Sequence, residues 1–203
     1  MPATPTAADI AQIFEETPNT LFVTISRRAA ATINQMAWEH FSQGAKMLGR
    51  FPGDPEANPG NFHGTTQVNW TPCPLHVFEG MRVTLTKNVN KPLDYVNGMG
   101  ATVVGASRRG VRVLTDTGRL LVVFPWTDEY KSVYLPMRLG YATTLLKVQG
   151  DELGHMTMWL DAPDIEAAGY VALSRVRTDS TWRFVGNPSR HHFTPSGADY
   201  DNN

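Results

Sequence analysis

The stretch that decides the fold spans residues 140–152 and reads GYATTLLKVQGDE. It ends in a Lys-x-Gln-Gly turn, and Glu152 follows two residues after Gly150. Further along, residues 170–175 read YVALSR, which places Arg175 at the end of an apolar segment of small residues. A helix is predicted at about 144–149, a strand at 155–160 and a second helix from Pro163 to about Arg177, since Pro suits a first helical position. This alternation indicates an α/β domain.

The N-terminal part of the chain continues the same pattern. Residues 20–24 read TLFVT, a short β-rich run, and Ser26 is a suitable N-cap for a helix predicted over Ala29–Met47. The apolar stripe of that helix is formed by Ile33, Met36, Ala37 and Phe41. A strand, a tight turn and a helix form the unit from which α/β motor domains are built.

Between these two parts the sequence changes to β character. Residues 81–86 alternate between apolar and polar side chains, and Asn97-Gly98 offers a tight turn. Short strands are then predicted at 100–105, 111–115 and 120–124, which favours a small barrel or a curled sheet. The predicted order along the chain is therefore α/β, a β insert, and α/β again.

Composition limits the classes of function. The chain has 203 residues, of which 41% are apolar and 18% charged, as in ordinary globular proteins. A net charge of −1 gives no overall attraction to nucleic acid. A local basic segment is either a DNA contact or a solvated face, and both interpretations stay open; its members are Arg82, Lys87, Lys91, Arg108, Arg109, Arg112 and Arg119.

Other classes of site and location are excluded or disfavoured. The single Cys73 excludes an internal disulfide and a Cys-based zinc site, and no metal-binding set is predicted. No apolar run approaches the roughly 18 residues of a membrane span, so no membrane partner is predicted. The N-terminus has acids early and lacks the pattern of a secretory signal. We therefore expect a soluble, intracellular protein.

The segments 142–150 and 170–175 resemble motifs V and VI of superfamily 1 DNA helicases, specifically the group that contains RecD and the Pif-type helicases. The usual forms of these motifs are close to A-x-T-x-H-K-x-Q-G and Y-V-A-L-S-R. Residues 80–100 resemble the stretch before and inside a β insert of the same family. The resemblance covers about residues 21–186. It implies the C-terminal half of such a helicase, a RecA-like parallel-sheet domain interrupted by a small SH3-like β module.

The resulting domain prediction divides the chain into six parts. Residues 1–18 are predicted to be a flexible N-terminus, and residues 49–74 a long loop rich in Gly, Pro and Asn. The RecA-like domain is predicted at 19–48 and 131–186, and the β-rich segment with the SH3-like insert at 75–130. Residues 187–203 are predicted to be a disordered tail. The pair His191-His192 is explained by the polar composition of this tail and is not predicted to bind a metal.

The resemblance implies roles at a nucleotide. Arg175 corresponds to the arginine finger, a cation that neutralises charge on the transferred phosphoryl group; outside the motif it would be a surface arginine. Gly150 and Glu152 match positions that approach the ribose and phosphates, and Gln149 matches one that links nucleotide state to DNA grip. Arg27 occupies the place of motif IV, where it is either a second phosphate-sensing cation or, with Arg28, a basic turn.

The resemblance also implies contacts with single-stranded DNA, for which Thr143, Thr144 and Lys147 match the positions that hold phosphates. Two departures weaken this expectation. Leu146 stands where the family has His, and Val148 stands where it has a small polar residue. They favour a divergent or degraded motor, and the alternative function is a non-catalytic module that binds nucleic acid or a partner protein.

The sequence has no G-x-x-x-x-G-K-[ST] motif to hold the β and γ phosphates. The resemblance implies that ATP and Mg²⁺ are bound mainly by an N-terminal RecA-like domain, which would be a partner in cis or in trans. The activity it implies is ATP-driven 5′→3′ DNA unwinding. For the 203 residues alone, we expect no ATP hydrolysis.

Overall fold

The computed structural model describes residues 4–58, 70–150 and 152–195. The chain forms two compact units. The first comprises Met1–Ile33 and Ala142–Asn203, and the second comprises Asn34–Tyr141. Within the described residues no helix is both long and apolar enough to span a membrane.

The first unit is an α/β structure. Its elements are α1 (Ala7–Glu16), β1 (Leu21–Thr24), the first part of α2 (Arg27–Ser42), β11 (Ala142–Thr144), β12 (Met156–Trp159), α3 (Ala168–Leu173) and β13 (Trp182–Phe184). Short 3₁₀ helices lie at Leu145–Val148, Asp179–Thr181 and Arg190–Phe193.

The sheet of the first unit is parallel throughout, with the strand order β11-β1-β12-β13. All four residues of β12 are buried, as are Phe22 and Val23 in β1. Strands of a parallel sheet are covered on both faces, which explains why these sequences are apolar runs without alternation. The prediction of an α/β fold with a parallel sheet and a β insert is confirmed.

The second unit contains the β insert. Its strands are β2 (Met47–Gly53), β3 (Cys73–Phe78), β4 (Arg82–Leu85), β5 (Gly100–Ser107), β6 (Gly110–Thr115), β7 (Leu120–Val123), β8 (Trp126–Thr127), β9 (Val133–Tyr134) and β10 (Met137–Leu139). Five of them form an antiparallel sheet with the order β10-β4-β5-β6-β7. Every second residue of β4, β6 and β7 is buried, so one face of this sheet packs inward and the other faces outward.

The two ends of the second unit lie side by side. The Asn34 side-chain oxygen accepts a hydrogen bond from the Tyr141 backbone N–H at 3.0 Å. The Tyr141 ring stacks on Phe41, with 5.2 Å between ring centroids. Burial raises the pKa of Tyr141 to about 12, so this hydroxyl stays protonated and accepts from the Arg82 backbone N–H at 3.2 Å. We call this arrangement the neck of the second unit.

The prediction of a flexible N-terminus at 1–18 is wrong for Ala7–Glu16, which forms α1. Thr6 and Asp9 make a reciprocal capping box: the Asp9 N–H donates to Thr6 Oγ1, and the Thr6 N–H donates to Asp9 Oδ2. The helix buries Ile10, Ile13 and Phe14. A capping box satisfies two otherwise unpaired backbone donors, and this local signal is present in the sequence.

The long loop predicted at 49–74 is also wrong in part. Ser26 does cap α2, since its hydroxyl accepts from the Ala29 N–H at 3.0 Å, but α2 ends at Ser42 and Met47–Gly53 is β2. This strand pairs antiparallel with β3. Glycine and proline in β2 mask its pattern, and its pairing partner is distant in sequence. Residues 59–69 of the predicted loop lie outside the described residues.

The helices predicted near the two motifs are shorter than expected. The segment 144–149 contains a 3₁₀ helix at Leu145–Val148, and the helix predicted from Pro163 begins only at Ala168. Ala167 adopts a left-handed conformation with φ of 58°, which is incompatible with a continuous helix through this position.

The disordered tail predicted at 187–203 is wrong for its first part. Arg190–Phe193 is a 3₁₀ helix, and His192 is fully buried, with Nε2 2.7 Å from the Ala162 carbonyl oxygen. The Ala167 N–H donates to the Thr194 carbonyl oxygen at 3.0 Å. Tail composition therefore does not explain His192, which is a core residue. Residues 196–203 lie outside the described residues.

Candidate functional site

The segments that carry the two sequence motifs pack on one apolar cluster. Leu145 and Val148 of the first segment and Ala168 and Ala172 of the second are buried in it, with strand residues Val23, Met156 and Met158. Small residues on α3 allow this close packing. The buried apolar residues of both motifs therefore fix the positions of the polar residues that lie beside them.

A backbone hydrogen bond joins the ends of the two segments. The Leu153 N–H donates to the Arg175 carbonyl oxygen at 2.8 Å, and Leu153 and Val176 form an isolated parallel bridge. Because these residues precede β12 and β13, they lie at the amino edge of the parallel sheet. The structure thus brings Glu152 and Arg175 to the same edge.

The Arg175 guanidinium lies against the end of its own helix. Its Nη2 donates to Ser174 Oγ at 2.7 Å, and its Nε donates to the Val171 carbonyl oxygen at 3.3 Å. A cation in this position is favoured by the partial negative charge of a helix C-terminus. Among the described residues, no carboxylate pairs with Arg175. Its donors are therefore held by neutral acceptors.

Glu152 forms an exposed ion pair with Arg177, whose Nη2 lies 2.6 Å from Glu152 Oε2. The pair lies at the mouth of an open cavity of about 430 Å³. The cavity is lined by Glu152, Leu153, Gly154, Arg177, Thr178 and Thr181. Arg177, two residues after Arg175, was not selected from the sequence.

Gln149 and Gly150 connect the 3₁₀ helix to this edge, and both are exposed. Gly150 has φ of 92°, a left-handed conformation that L side chains rarely adopt. A glycine is therefore required here by the turn itself, whatever else it contacts.

The remaining predicted residues lie at the opposite, carboxyl edge of the sheet. β1 and β11 run parallel with Thr24 opposite Thr144, and Arg27 begins α2 directly after β1. Thr143 is partly exposed, Thr144 is largely buried, and the side chains of Lys147 and Arg27 are exposed. The structure therefore groups Arg27 with Thr143 and Thr144, and it does not bring Arg27 to the edge that holds Arg175.

Asp161 holds the turn at this carboxyl edge and was not singled out from the sequence. Its Oδ1 accepts the backbone N–H of Ile25 at 2.8 Å and that of Ser26 at 3.1 Å. These bonds fix the connection from β1 into α2, and with it the start of the helix that carries Arg27. An acid two residues after the end of the buried strand β12 was the signal available in the sequence.

We expect Asp161→Ala to lower the free energy of unfolding by about 1.5 kcal/mol, because two backbone donors lose a charged acceptor. Urea unfolding followed by tryptophan fluorescence measures this change. Asp164→Ala is the matched control, since the exposed Asp164 has no hydrogen-bond partner among the described residues. Equal stability of the two variants would contradict the role given to Asp161.

Comparison with known proteins identifies the architecture. No protein-family model and no curated protein matches this sequence. The chain is similar to the Pif1 helicase from Bacteroides in complex with ADP-AlF3 and ssDNA, with a TM-score of 0.63 and 18% identity over 94% of this chain. It is also similar to the Pif1 helicase from Candida albicans, with a TM-score of 0.63 and 19% identity over 93% of this chain. This chain has the fold of a Pif1 helicase C-terminal half.

The likeness extends over part of each Pif1 structure. The match covers 48% of the Bacteroides chain and 50% of the Candida albicans chain. Another structure, Bacteroides Pif1 bound to ssDNA, matches with a TM-score of 0.56 and 18% identity over 88% of this chain and 45% of that chain. The chain therefore spans about half the length of the Pif1 structures it matches.

Within this Pif1 fold, the two sequence departures have different environments. Val148 is buried in the apolar cluster, where a polar side chain would need a hydrogen-bond partner. Leu146, by contrast, has 74% of its surface exposed. Leu146 thus replaces the histidine of the motif without gaining a place in the core.

The groups present suit a phosphate better than a metal ion. Arg175, Arg177 and the hydroxyls of Thr178 and Thr181 lie at or near one edge, and guanidinium and hydroxyl donors are suited to phosphate oxygens. In contrast, no group of three His, Cys, Asp or Glu side chains among residues 4–58, 70–150 and 152–195 could hold a metal ion. Guanidinium and hydroxyl groups in this position can donate hydrogen bonds to a phosphate.

Proposed function

We propose that this chain is the C-terminal motor portion of an ATP-dependent 5′→3′ DNA helicase. The observation that carries the proposal is the hydrogen bond from the Leu153 N–H to the Arg175 carbonyl oxygen. In a Pif1-type fold, this bond links the residues that follow segment 142–150 to the end of segment 170–175. The polarity is inherited from the family resemblance. Support also comes from two similar solved structures, Bacteroides Pif1 in complex with ADP-AlF3 and ssDNA and Bacteroides Pif1 bound to ssDNA.

In the proposed mechanism, Arg175 is the arginine finger. When a nucleotide is bound, the guanidinium exchanges Ser174 Oγ and the Val171 carbonyl oxygen for oxygens of the transferred phosphoryl group. Because the acceptors of this guanidinium among the described residues are neutral, none of the described ion pairs has to be broken first. Gly150 and Glu152 approach the ribose and phosphates, and Gln149 links that contact to the DNA side. Arg27 is proposed as a second phosphate contact of the motor.

ATP hydrolysis by this mechanism also requires a partner domain. We propose that an N-terminal RecA-like domain, in cis or in trans, supplies the P-loop and the Mg²⁺ ligands. ATP would bind between that domain and the RecA-like domain of this chain, which is formed by residues 19–48 and 131–186. The magnesium ion supplies charge neutralisation at the phosphates when bound. Without that domain the chain is proposed to be inactive as an ATPase.

Single-stranded DNA is proposed to contact Thr143, Thr144 and Lys147 at the carboxyl edge of the parallel sheet. Lys147 is exposed there, and Thr143 is partly exposed. Thr144 is largely buried, so its hydroxyl is less accessible than the side chains of Thr143 and Lys147. These contacts are to phosphates, so they give affinity without sequence preference.

We expect the chain to bind single-stranded DNA weakly, with an affinity that falls steeply between about 50 and 200 mM salt. Lys147→Ala is expected to reduce the slope of log affinity against log salt by about one, which is the effect of losing one phosphate contact. Fluorescence anisotropy with labelled oligothymidine measures both. Lys46→Ala is the control, since Lys46 is an exposed lysine already paired with Glu79. Tight binding that is insensitive to salt would contradict the proposed contacts.

The exposure of Leu146 favours a second candidate function. An apolar side chain in place of a hydrogen-bonding histidine weakens the coupling of DNA and nucleotide, which fits a non-catalytic nucleic-acid- or partner-binding module derived from a helicase. Measurement of ATP turnover with the N-terminal domain supplied distinguishes the two. Retained DNA binding without turnover supports the module.

A further inference from the structure

The outward face of β6 and β7 carries an unusual combination of apolar side chains and arginines. We call it the β6–β7 face and define it by Arg112, Leu114, Leu120, Val122 and Phe124. Arg112 lies opposite Val122, and Leu114 lies opposite Leu120, so these side chains form one continuous patch. The alternate residues Val113, Leu121 and Val123 point into the core.

The four apolar side chains of this face are all exposed to solvent, and they lie together in one patch. The exposed fractions are 64% for Leu120, 55% for Phe124, 43% for Leu114 and 37% for Val122. The polar alternation typical of a solvated antiparallel face is absent from β7, where Leu120 and Val122 take the outward positions. A contiguous apolar patch of this kind marks an interaction surface.

β7 is also an edge strand. It pairs with β6 on one side, and no described strand pairs with it on the other. An unpaired strand edge presents backbone donors and acceptors in a row, and it can accept an additional strand from another polypeptide. Backbone pairing and an apolar face are thus offered by the same short strand.

Arginines give this face its charge. Arg112 is positioned over Gly105, where an added Cβ would lie 2.6 Å from the Arg112 Nη2. Arg108 and Arg109 form the exposed turn between β5 and β6. Among the described residues, no acid pairs with these three arginines.

Two acids of the same unit, Asp116 and Asp94, are engaged with other arginines. Asp116 forms a bidentate pair with Arg82, with bonds of 2.6 and 2.9 Å. Asp94 accepts from the Thr117 hydroxyl at 2.7 Å and lies 3.9 Å from Arg119. Neither of these two acids pairs with Arg108, Arg109 or Arg112, whose positive charge accompanies the exposed apolar side chains of the β6–β7 face.

We propose that the β6–β7 face binds an acidic, extended polypeptide segment of a partner protein, which adds to β7 as a further antiparallel strand. Charge complementarity favours an acidic occupant. Three of the four apolar side chains of the face, Leu114, Leu120 and Val122, are aliphatic and only Phe124 is aromatic, which favours apolar side chains over nucleobases. Nucleobases are held mainly by aromatic stacking. This inference does not rest on the proposed helicase activity.

The geometry also sets the direction of the segment. The Arg108-Arg109 turn lies at the Phe124 end of β7, since an added Cβ at Gly110 would meet the backbone of Val123 and Phe124. A strand antiparallel to β7 has its amino end there. The acidic residues are therefore expected at the amino end of the segment, followed by alternating apolar and polar residues that lie against Val122 and Leu120.

The test uses the full 203-residue chain and a fluorescein-labelled peptide with the sequence EDEGFTVTITS. Anisotropy is expected to show saturable binding. A peptide in which lysines replace the three acids is expected to bind about tenfold more weakly or worse, a loss of roughly 1.4 kcal/mol. Arg112→Glu, which changes an exposed side chain, is expected to weaken binding of the acidic peptide by about tenfold as well.

Matched variants separate this surface from general charge effects. Arg50→Glu reverses another exposed arginine and is expected to leave binding unchanged, while Val122→Asp is expected to weaken it. Circular dichroism confirms that each variant is folded. Absence of saturable binding, equal binding of the lysine peptide, or equal binding by Arg112→Glu would overturn the proposal. Displacement of the peptide by oligothymidine with full dependence on Arg112 would also overturn it, by assigning the face to nucleic acid.

Discussion

Arg175→Ala is expected to lower ATP turnover by about 10³ to 10⁵-fold when the P-loop domain is supplied in cis or in trans. An arginine finger acts on charge that develops in the transition state, so its loss reduces turnover and leaves ATP binding nearly unchanged. Steady-state phosphate release measures turnover, and binding of a fluorescent ATP analogue measures affinity.

Two further variants make this test specific. Arg175→Lys is expected to restore little activity, because an ammonium group lacks the forked donors of a guanidinium. Arg190→Ala removes another exposed arginine of the same unit and is expected to retain parental turnover. Near-parental hydrolysis by Arg175→Ala would refute the motif VI assignment, and the helicase proposal would lose its main support.

Gly140→Ala is expected to lower the free energy of unfolding by about 3 kcal/mol. An added Cβ would lie 2.7 Å from the carbonyl oxygen of Val83 and 2.9 Å from its Cα, and these backbone atoms belong to β4. The strand cannot move away easily, because the Gly140 N–H also donates to the Arg82 carbonyl oxygen at 3.0 Å. Gly140 is thus held in place by the hydrogen bond to Arg82, and the Val83 backbone leaves no space for a larger side chain.

Urea unfolding followed by tryptophan fluorescence measures this loss. Gly154→Ala is the control, because an added Cβ there meets no atom within 4 Å and is expected to change stability by less than about 0.5 kcal/mol. If Gly140→Ala were as stable as Gly154→Ala, the close approach of Gly140 and Val83 would not be a feature of the protein in solution.

Sequence reasoning was successful where strand character and motif spacing agreed. The short runs at 20–24 and 155–160 predicted strands, which the structure forms at Leu21–Thr24 and Met156–Trp159, and Ser26 predicted the start of the following helix. These signals are local, since each depends on residues that are near one another in the chain. The alternation in 81–86 and the short runs at 100–105, 111–115 and 120–124 likewise predicted a β insert, and the order of the three parts followed from it.

Elements that depend on distant partners were not predictable in the same way. β2 is recognisable only through its pairing with β3, and the fully buried His192 gains its environment from Ala162 and Ser189. The short length of α3 follows from the left-handed Ala167, a conformation that nothing in the residue type indicates. In these cases tertiary contacts decide the conformation, and local propensity does not.

The candidate site shows the same division. Motif spacing selected Glu152 and Arg175, which the structure brings to one edge of the sheet, but it gave no indication that Arg27 lies at the other edge. Asp161 and Arg177 were not selected, because a single acid after a strand and a second arginine near a motif are common features. Their hydrogen-bond and ion-pair partners became identifiable only with coordinates.

The neck of the second unit has a consequence for how this architecture can change over evolutionary time. Asn34 and Tyr141 are separated by more than a hundred positions in the chain yet are joined by a hydrogen bond of 3.0 Å. A segment whose entry and exit points adjoin can be lengthened, shortened or exchanged without altering the spacing of the strands that flank it. The β insert is therefore a replaceable attachment, and new binding specificities can be acquired there while the parallel sheet keeps its register.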